Sequence, residues 1–386
     1  MPGLCCFCQE KIILPNRSPE NYIKIEAMNA QTPPAPGQRL ANISASLILI
    51  LITYLFYKLA PYYQAYASKE LHVFSYHFVN RNALQLVYVI YSVLLVLYYL
   101  IEQNPQTSKS IYCLRALQRI LRAPLDVYRK GLPAQERLGL LTILLKAFFA
   151  PLMVAWLLSH MTHMLDNGVY LVTHFELLQK DFLAVFNYRG FWFLFQLILS
   201  LDVFFFTIGY LIELPVLKNQ IRSVDPTLFG WAVALACYPP FVGLTGTILA
   251  WEPVDFPQFE TPAVHIAVNF LLLGLMAIYT SASVALNFKA SNLTHRGIIA
   301  TGPYRFIRHP AYICKNMAWW IGSIPAVIAG FHTSLWSALL ILASVGGWTM
   351  IYTLRALTEE DHLRKVDDEY DQYCEKVRYR FIPGVL

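Results

Sequence analysis

Eight stretches of this chain stay apolar for about the 20 residues that a helix needs to cross a hydrocarbon layer. They run at about Ile43–Ala60, Leu84–Ile101, Leu138–Leu158, Phe191–Leu211, Leu228–Leu249, Val264–Leu286, Ile313–Ala329 and Ser334–Tyr352. In lipid every backbone polar group must be satisfied within the chain, which leaves helices as the economical solution. The expected fold class is therefore all-α: a polytopic membrane helical bundle of about eight transmembrane helices, followed by a C-terminal cytosolic helix. Composition agrees. The 386 residues are 56% hydrophobic and 14% charged, against roughly 25% charged in soluble domains.

Details within the spans carry further expectations. Pro239-Pro240 removes backbone donors and should kink the fifth. The seventh is short, contains Gly322 and Pro325, and is joined to the eighth by only Gly330 to Thr333, so the two should form a tight helical hairpin. Lys and Arg set orientation. With both termini in the cytosol, 23 of them fall on cytosolic segments and four on outer ones. Seven lie in segment 102–137 alone, where Leu and Ile recur among arginines around Ile111–Tyr128 as in an interfacial helix.

Residues 1–40 read as a flexible cytosolic tail, with a linker at Thr32–Gly37 and an acylation-compatible Cys5-Cys6-Phe7-Cys8. Residues 41–260 form a transmembrane region of unrecognised type, and 261–386 a cofactor-binding region. The net charge of +6 is spread over loops without stacking aromatics. This points to anionic lipid headgroups and away from nucleic acid. Seven scattered cysteines imply no disulfide framework. No metal site is expected: His160 and His163 have no evident third ligand. Asp202, inside the fourth span, is either functional or a structural partner of Lys146. Lys315 is expected to snorkel to the cytosolic boundary.

The most specific segment is Thr301-Gly302-Pro303-Tyr304-Arg305-Phe306-Ile307-Arg308-His309-Pro310-Ala311-Tyr312. After the last two spans come Thr358-Glu359-Glu360, Glu369-Tyr370, Tyr373, Lys376-Val377 and Phe381-Ile382-Pro383. This ordered set resembles the C-terminal half of the isoprenylcysteine carboxyl methyltransferase family and of related phospholipid methyltransferases. The likeness covers about residues 264–386. It departs from the family at Arg296, at Cys314 and at Lys376, near the regions where acceptor and cofactor would lie.

The resemblance implies an S-adenosylmethionine-dependent integral-membrane methyltransferase. Its acceptor would be lipophilic and membrane-embedded, a prenylcysteine carboxylate or another lipid, reached from among membrane lipids. Carried over, the cofactor residues are Ile298, Ile299, Gly302, Tyr304, Arg308, His309, Pro310, Tyr312, Glu359 and Glu360, with Arg308, His309 and Glu360 as catalytic candidates. The chemistry suits them. Arginine forks onto a carboxylate, a glutamate takes an amine or ribose hydroxyls, and tyrosine faces attract a sulfonium. Two alternatives remain. Membrane sterol reductases, which use NADPH, resemble the same C-terminal architecture, although the Gly-Pro-Tyr and His-Pro pairs weigh against them. A transporter or sensor would line a path with Asp202, Lys146 and His265, but no inverted repeat supports it.

Overall fold

The computed structural model describes residues 37–68, 70–73, 76–103, 105–249 and 257–384. The N-terminal cysteines and nearly all of the expected tail and linker lie outside the described residues. The rest is an all-α bundle. Its main helices are α1 (Gln38–Leu59), α2 (Asn80–Ile101), α3 (Lys109–Arg122), α4 (Ala134–Thr173), α5 (Phe191–Leu211), α6 (Leu228–Leu235), α7 (Phe241–Ile248), α8 (Pro262–Leu286), α9 (Pro310–Gly322), α10 (Ile324–Thr333), α11 (Leu335–Val366) and α12 (Glu369–Lys376). Among the described residues, six helical stretches are long and apolar enough to cross a membrane: those containing α1, α2, α4, α5, α8 and α11. The chain is a multi-pass integral membrane protein.

The other two expected spans are each divided into two short helices. Residues 228–248 break between α6 and α7 at Pro239-Pro240, and residues 310–333 break between α9 and α10 at Ser323, just before Pro325. Neither half alone covers a bilayer. α10 packs back along α11, and the Ser334 hydroxyl caps α11 by accepting from the Ser337 N–H at 3.1 Å. The eighth span and the following polar segment form one 32-residue helix rather than two. The expected interfacial helix is α3, capped by Ser108 and ended before Pro124. It packs along α4 and is tied there by a two-pronged Arg119–Glu136 contact at 2.7 and 2.8 Å.

Two small antiparallel strand pairs depart from a purely helical reading. Strands β1 (Glu70–Val73) and β2 (Tyr76–Val79) link the first two long helices. Strands β3 (Ser223–Val224) and β4 (Thr294–His295) join two loops at the end of the bundle that carries residues 302–312.

Apolar packing concentrates in two clusters. Leu145, Phe149, Leu152 and Tyr210 sit between α4 and α5. Phe191, Phe195, Leu272, Met276 and Ala318 sit between α5, α8 and α9. At the motif end a partly buried charge cluster closes the first of these. Glu213 meets Lys109 at 2.5 Å and Lys146 at 2.8 Å. Lys146 is therefore not the structural partner of Asp202, one of the two sequence readings of that acid; the α5 terminus brings Glu213 to it instead. Burial alone would raise the Glu213 carboxyl, but Lys146, Lys109 and Arg296 outweigh it and hold it well below its usual 4.5. Burial draws the Lys109 ammonium down. The shared carboxylate, faced by both lysines, governs the cluster.

Its stability contribution is complete above the unfolded carboxyl value near 4.5 and is lost as pH falls toward the depressed folded value. Thermal melts in detergent should therefore fall more steeply below pH 4.5 for the wild type than for Glu213→Gln. Parallel curves would remove this role.

Candidate active site

The 287–312 connection is fastened to the bundle before it reaches the motif. Asn292 is its hub. Its backbone and side-chain N–H groups donate to the Tyr210 hydroxyl at 2.7 and 2.9 Å, and the side chain also donates to Tyr238 at 3.0 Å. Its carbonyl oxygen accepts from Arg355 at 2.9 Å. Arg296 donates to the backbone oxygens of Asn219 and Gly209. His295 lies 2.8 Å from Asp367, and Ser223 meets His362 at 3.0 Å. These ties hold residues 289–299 as a strap across the ends of α5 and α11.

The motif follows as a tight turn. Gly302 has φ +58, and a Cβ there would come within 2.9 Å of Ala285 Cβ, so a side chain is excluded both by backbone conformation and by space. Pro310 opens α9 at its first turn and is buried. The N–H groups of Arg308 and His309 donate to the carbonyls of Tyr379 and Arg380 at 3.0 Å each, which draws the C-terminal segment across the motif.

Arg308, His309 and Glu360 come together, as the sequence predicts. Glu360 is completely buried. Arg380 approaches it with two hydrogen bonds of 2.9 Å, His309 Nε2 at 3.1 Å, Arg364 at 3.2 Å and Arg308 Nε at 3.3 Å, the last out of hydrogen-bond alignment. Glu359, one residue earlier and so about 100° round the helix, takes a different role. It accepts from the Tyr312 hydroxyl, and its second oxygen is 3.9 Å from His309 Nδ1. The His309 ring stacks on Tyr312 at 5.4 Å.

Arg308, His309, Tyr312 and Glu359 border a cavity of about 220 Å³ between α8, α9, α11 and the strap. Of the residues named from sequence, Ile298, Ile299, Tyr304, Arg308, His309, Tyr312 and Glu359 line it. Gly302, Pro310 and Glu360 do not. Gly302 and Pro310 shape the turn, and Glu360 lies behind the wall, fixing the cationic side chains. Burial and the neighbouring Glu359 push the Tyr304 phenol up, so it is a neutral hydroxyl at physiological pH.

Sequence reading missed several lining residues. Arg355 precedes Glu359 by four positions, which places both on one helical face; this was the available signal. Lys315 does not extend to the boundary as expected. Its ammonium lies 5.1, 5.9 and 6.0 Å from the ring centres of Trp319, Tyr279 and Tyr352, because the aromatic wall is closer than the helix end. Arg355 lies 5.1–5.8 Å from the rings of Tyr312, Tyr352 and Tyr238. Such contacts supply roughly 0.5–2 kcal/mol each. Taking a lone charge out of water costs several kcal/mol. The rings therefore offset only part of the cost. Asp202 is held by Ser283 and by Tyr279 at 2.9 Å, just behind this wall. His160 is paired with Gln196 at 2.7 Å.

A second cavity, of about 1330 Å³, lies between α1, α2, α3 and α4. Leu49, Leu84, Val87, Tyr88, Tyr91 and Leu95 contribute to its largely apolar wall. His295 lines both cavities.

One family model matches the chain, over residues 245–377, and its description is "Protein of unknown function (DUF1295)". The match covers the strap, the motif and the glutamate pair, the same region that carries the cavity. No curated protein and no solved structure matches the chain.

Proposed function

We propose that the chain is an S-adenosylmethionine-dependent methyltransferase acting on a lipophilic acceptor in the bilayer. The single observation that supports this most is the convergence of His309, Tyr312, Tyr304, Glu359 and Arg355 on one cavity at the motif end of the bundle. These residues suit the parts of the cofactor. Glu359 fits the amine or the ribose hydroxyls, a cationic wall fits the carboxylate, and the tyrosine faces fit the sulfonium. At about 220 Å³ the cavity is below the ~300–1,000 Å³ of ordinary small-molecule sites, so a nucleoside-sized ligand requires the 289–299 strap or a lining tyrosine to give.

When bound, the cofactor supplies an activated methyl group for in-line displacement. The protein's part is to position and to exclude water. Tyr312 holds Glu359 in place, and Glu360 holds His309 and Arg308 at the wall. His309 Nε2 is tied to Glu360 at 3.1 Å, which leaves Nδ1, 3.9 Å from Glu359, as the nitrogen that can take a proton from an acceptor that must lose one. The apolar cavity beyond His295 is suited to the tail of a lipid acceptor. The excess of Lys and Arg on this end of the bundle supports a cytosolic placement of it and of both termini.

Calorimetry on the purified protein should give saturable S-adenosylmethionine binding, weakened tenfold or more (about 1.4 kcal/mol) by Glu359→Ala. No heat from wild type, or equal affinity in the variant, would reject the assignment.

A second reading has its own support. Five Lys or Arg side chains but only two carboxylates line the smaller cavity. Lys289 and Arg222 flank Gly297 at its rim. Such a surplus suits the phosphates of NADPH, and hence a reductase. Titration with NADPH in place of S-adenosylmethionine separates the two.

A further inference from the structure

The cationic part of the cavity wall includes two side chains, Arg355 and Lys315, that stand apart from the ion pairs around Glu360. Arg355 is 3% exposed. Its Nη2 donates to Asn292, and its Nε is buried without a partner. Lys315 is three residues past Tyr312 on α9. Among the described residues, no carboxylate lies within ion-pairing distance of either. The two acids nearby are engaged elsewhere: Asp202 by Ser283 and Tyr279, Glu359 by Tyr312. Both cations lie against the same Tyr352 ring, at 5.2 Å for the guanidinium and 6.0 Å for the ammonium. They thus form one positive locus on the cavity wall, distinct from the five-membered cluster around Glu360.

A buried guanidinium and an aromatic-caged ammonium, neither within ion-pairing distance of a carboxylate, form a binding site for an anion. The guanidinium presents a planar fork, and the ammonium adds a movable point charge. We propose that Arg355 and Lys315 form a carboxylate-binding subsite within this cavity. The carboxylate has two possible sources: the methionyl end of the cofactor, or the head of a long-chain acid entering from the bilayer. A lipid ammonium would be repelled. The subsite does not depend on the methyl-donor assignment, because the two cations need an anion whichever cofactor binds beside them.

Two matched pairs of probes test it on the full-length protein in nanodiscs. The first pair is S-adenosylmethionine and its decarboxylated form. The second is hexadecanoic acid and hexadecan-1-ol. In at least one pair the acid should bind tenfold or more tightly than its counterpart without the carboxylate, and Arg355→Gln and Lys315→Met should each erase most of that preference while leaving the counterpart's affinity unchanged. Preference in the first pair assigns the carboxylate to the cofactor; preference in the second assigns it to a lipid acid. Lys315→Met removes a charge that has no hydrogen-bond partner among the described residues, so it keeps the test decisive if Arg355→Gln fails to fold. The proposal is overturned if neither pair shows a preference for the acid, or if the preference survives both substitutions. Absence of all S-adenosylmethionine binding would reject the methyltransferase reading alone, since the lipid pair still reports on the subsite.

Discussion

Glu360→Ala should be among the most damaging single substitutions in this chain. Its carboxylate is the shared partner of Arg308, His309, Arg364 and Arg380, and it is wholly enclosed. Removing one member of a buried ion pair costs about 3–5 kcal/mol, because the partner is left uncompensated. Here several partners are left at once. Arg380 also anchors the C-terminal segment, whose carbonyls at 379 and 380 receive the Arg308 and His309 N–H groups. The loss should therefore spread from the cluster to the motif turn. We expect a destabilisation of about 5 kcal/mol, read as a large fall in melting temperature, together with loss of ligand binding. Glu360→Gln keeps the shape but not the charge and should fall between. Glu359→Ala, whose carboxylate faces the cavity, should lower ligand affinity while melting near wild type. If Glu360→Ala melts like Glu359→Ala, the keystone role is wrong.

That division between neighbouring glutamates was not legible in the sequence. Thr358-Glu359-Glu360 reads as one acidic group, and only the packing of α11 decides which carboxylate meets the cavity and which meets the arginines. The bundle itself was legible, because runs of about 20 apolar residues leave few other folds. The prolines at 239, 240 and 325 marked the fifth and seventh spans for interruption, and the structure divides both. The extension of α4 past Leu158 was hidden, since His160, His163, Asp166 and Asn167 look like loop residues until His160 is seen paired with Gln196. The β1–β2 hairpin is too short for a period-2 signal. In the site, the motif brought its own residues together as expected. Arg355 and Lys315 were overlooked for a physical reason: a single cation near a helix end ordinarily reaches for water, and only the placement of Tyr279, Trp319 and Tyr352 shows these two turned inward.

Gly209→Ala should be nearly as severe, through a contact that sequence alone does not reveal. Gly209 lies near the end of α5, where the strap crosses. A Cβ at this position would come within 2.1 Å of the Ala290 carbonyl oxygen and 3.1 Å of its carbon. Real Cβ atoms do not approach backbone so closely, and a carbonyl cannot rotate away as a side chain can. The helix or the strap must move. The same residue's carbonyl accepts from Arg296, so displacement also frees a buried guanidinium. Two residues beyond Ala290 is Asn292, which links Tyr210, Tyr238 and Arg355. Overpacking ordinarily costs 1–3 kcal/mol, and a backbone overlap of this depth should cost about 3 kcal/mol or more. Ligand affinity should fall in parallel, since Ile298, Ile299 and Arg355 all depend on the strap's position. Gly274→Ala is the matched control. It is also on a membrane helix, but nothing lies within 4 Å of its added Cβ. It should be neutral or stabilising by up to about 1 kcal/mol from helix propensity. Equal melting temperatures for the two variants would show that the strap does not rest on Gly209, and with it the account of how the cavity is held closed would fail.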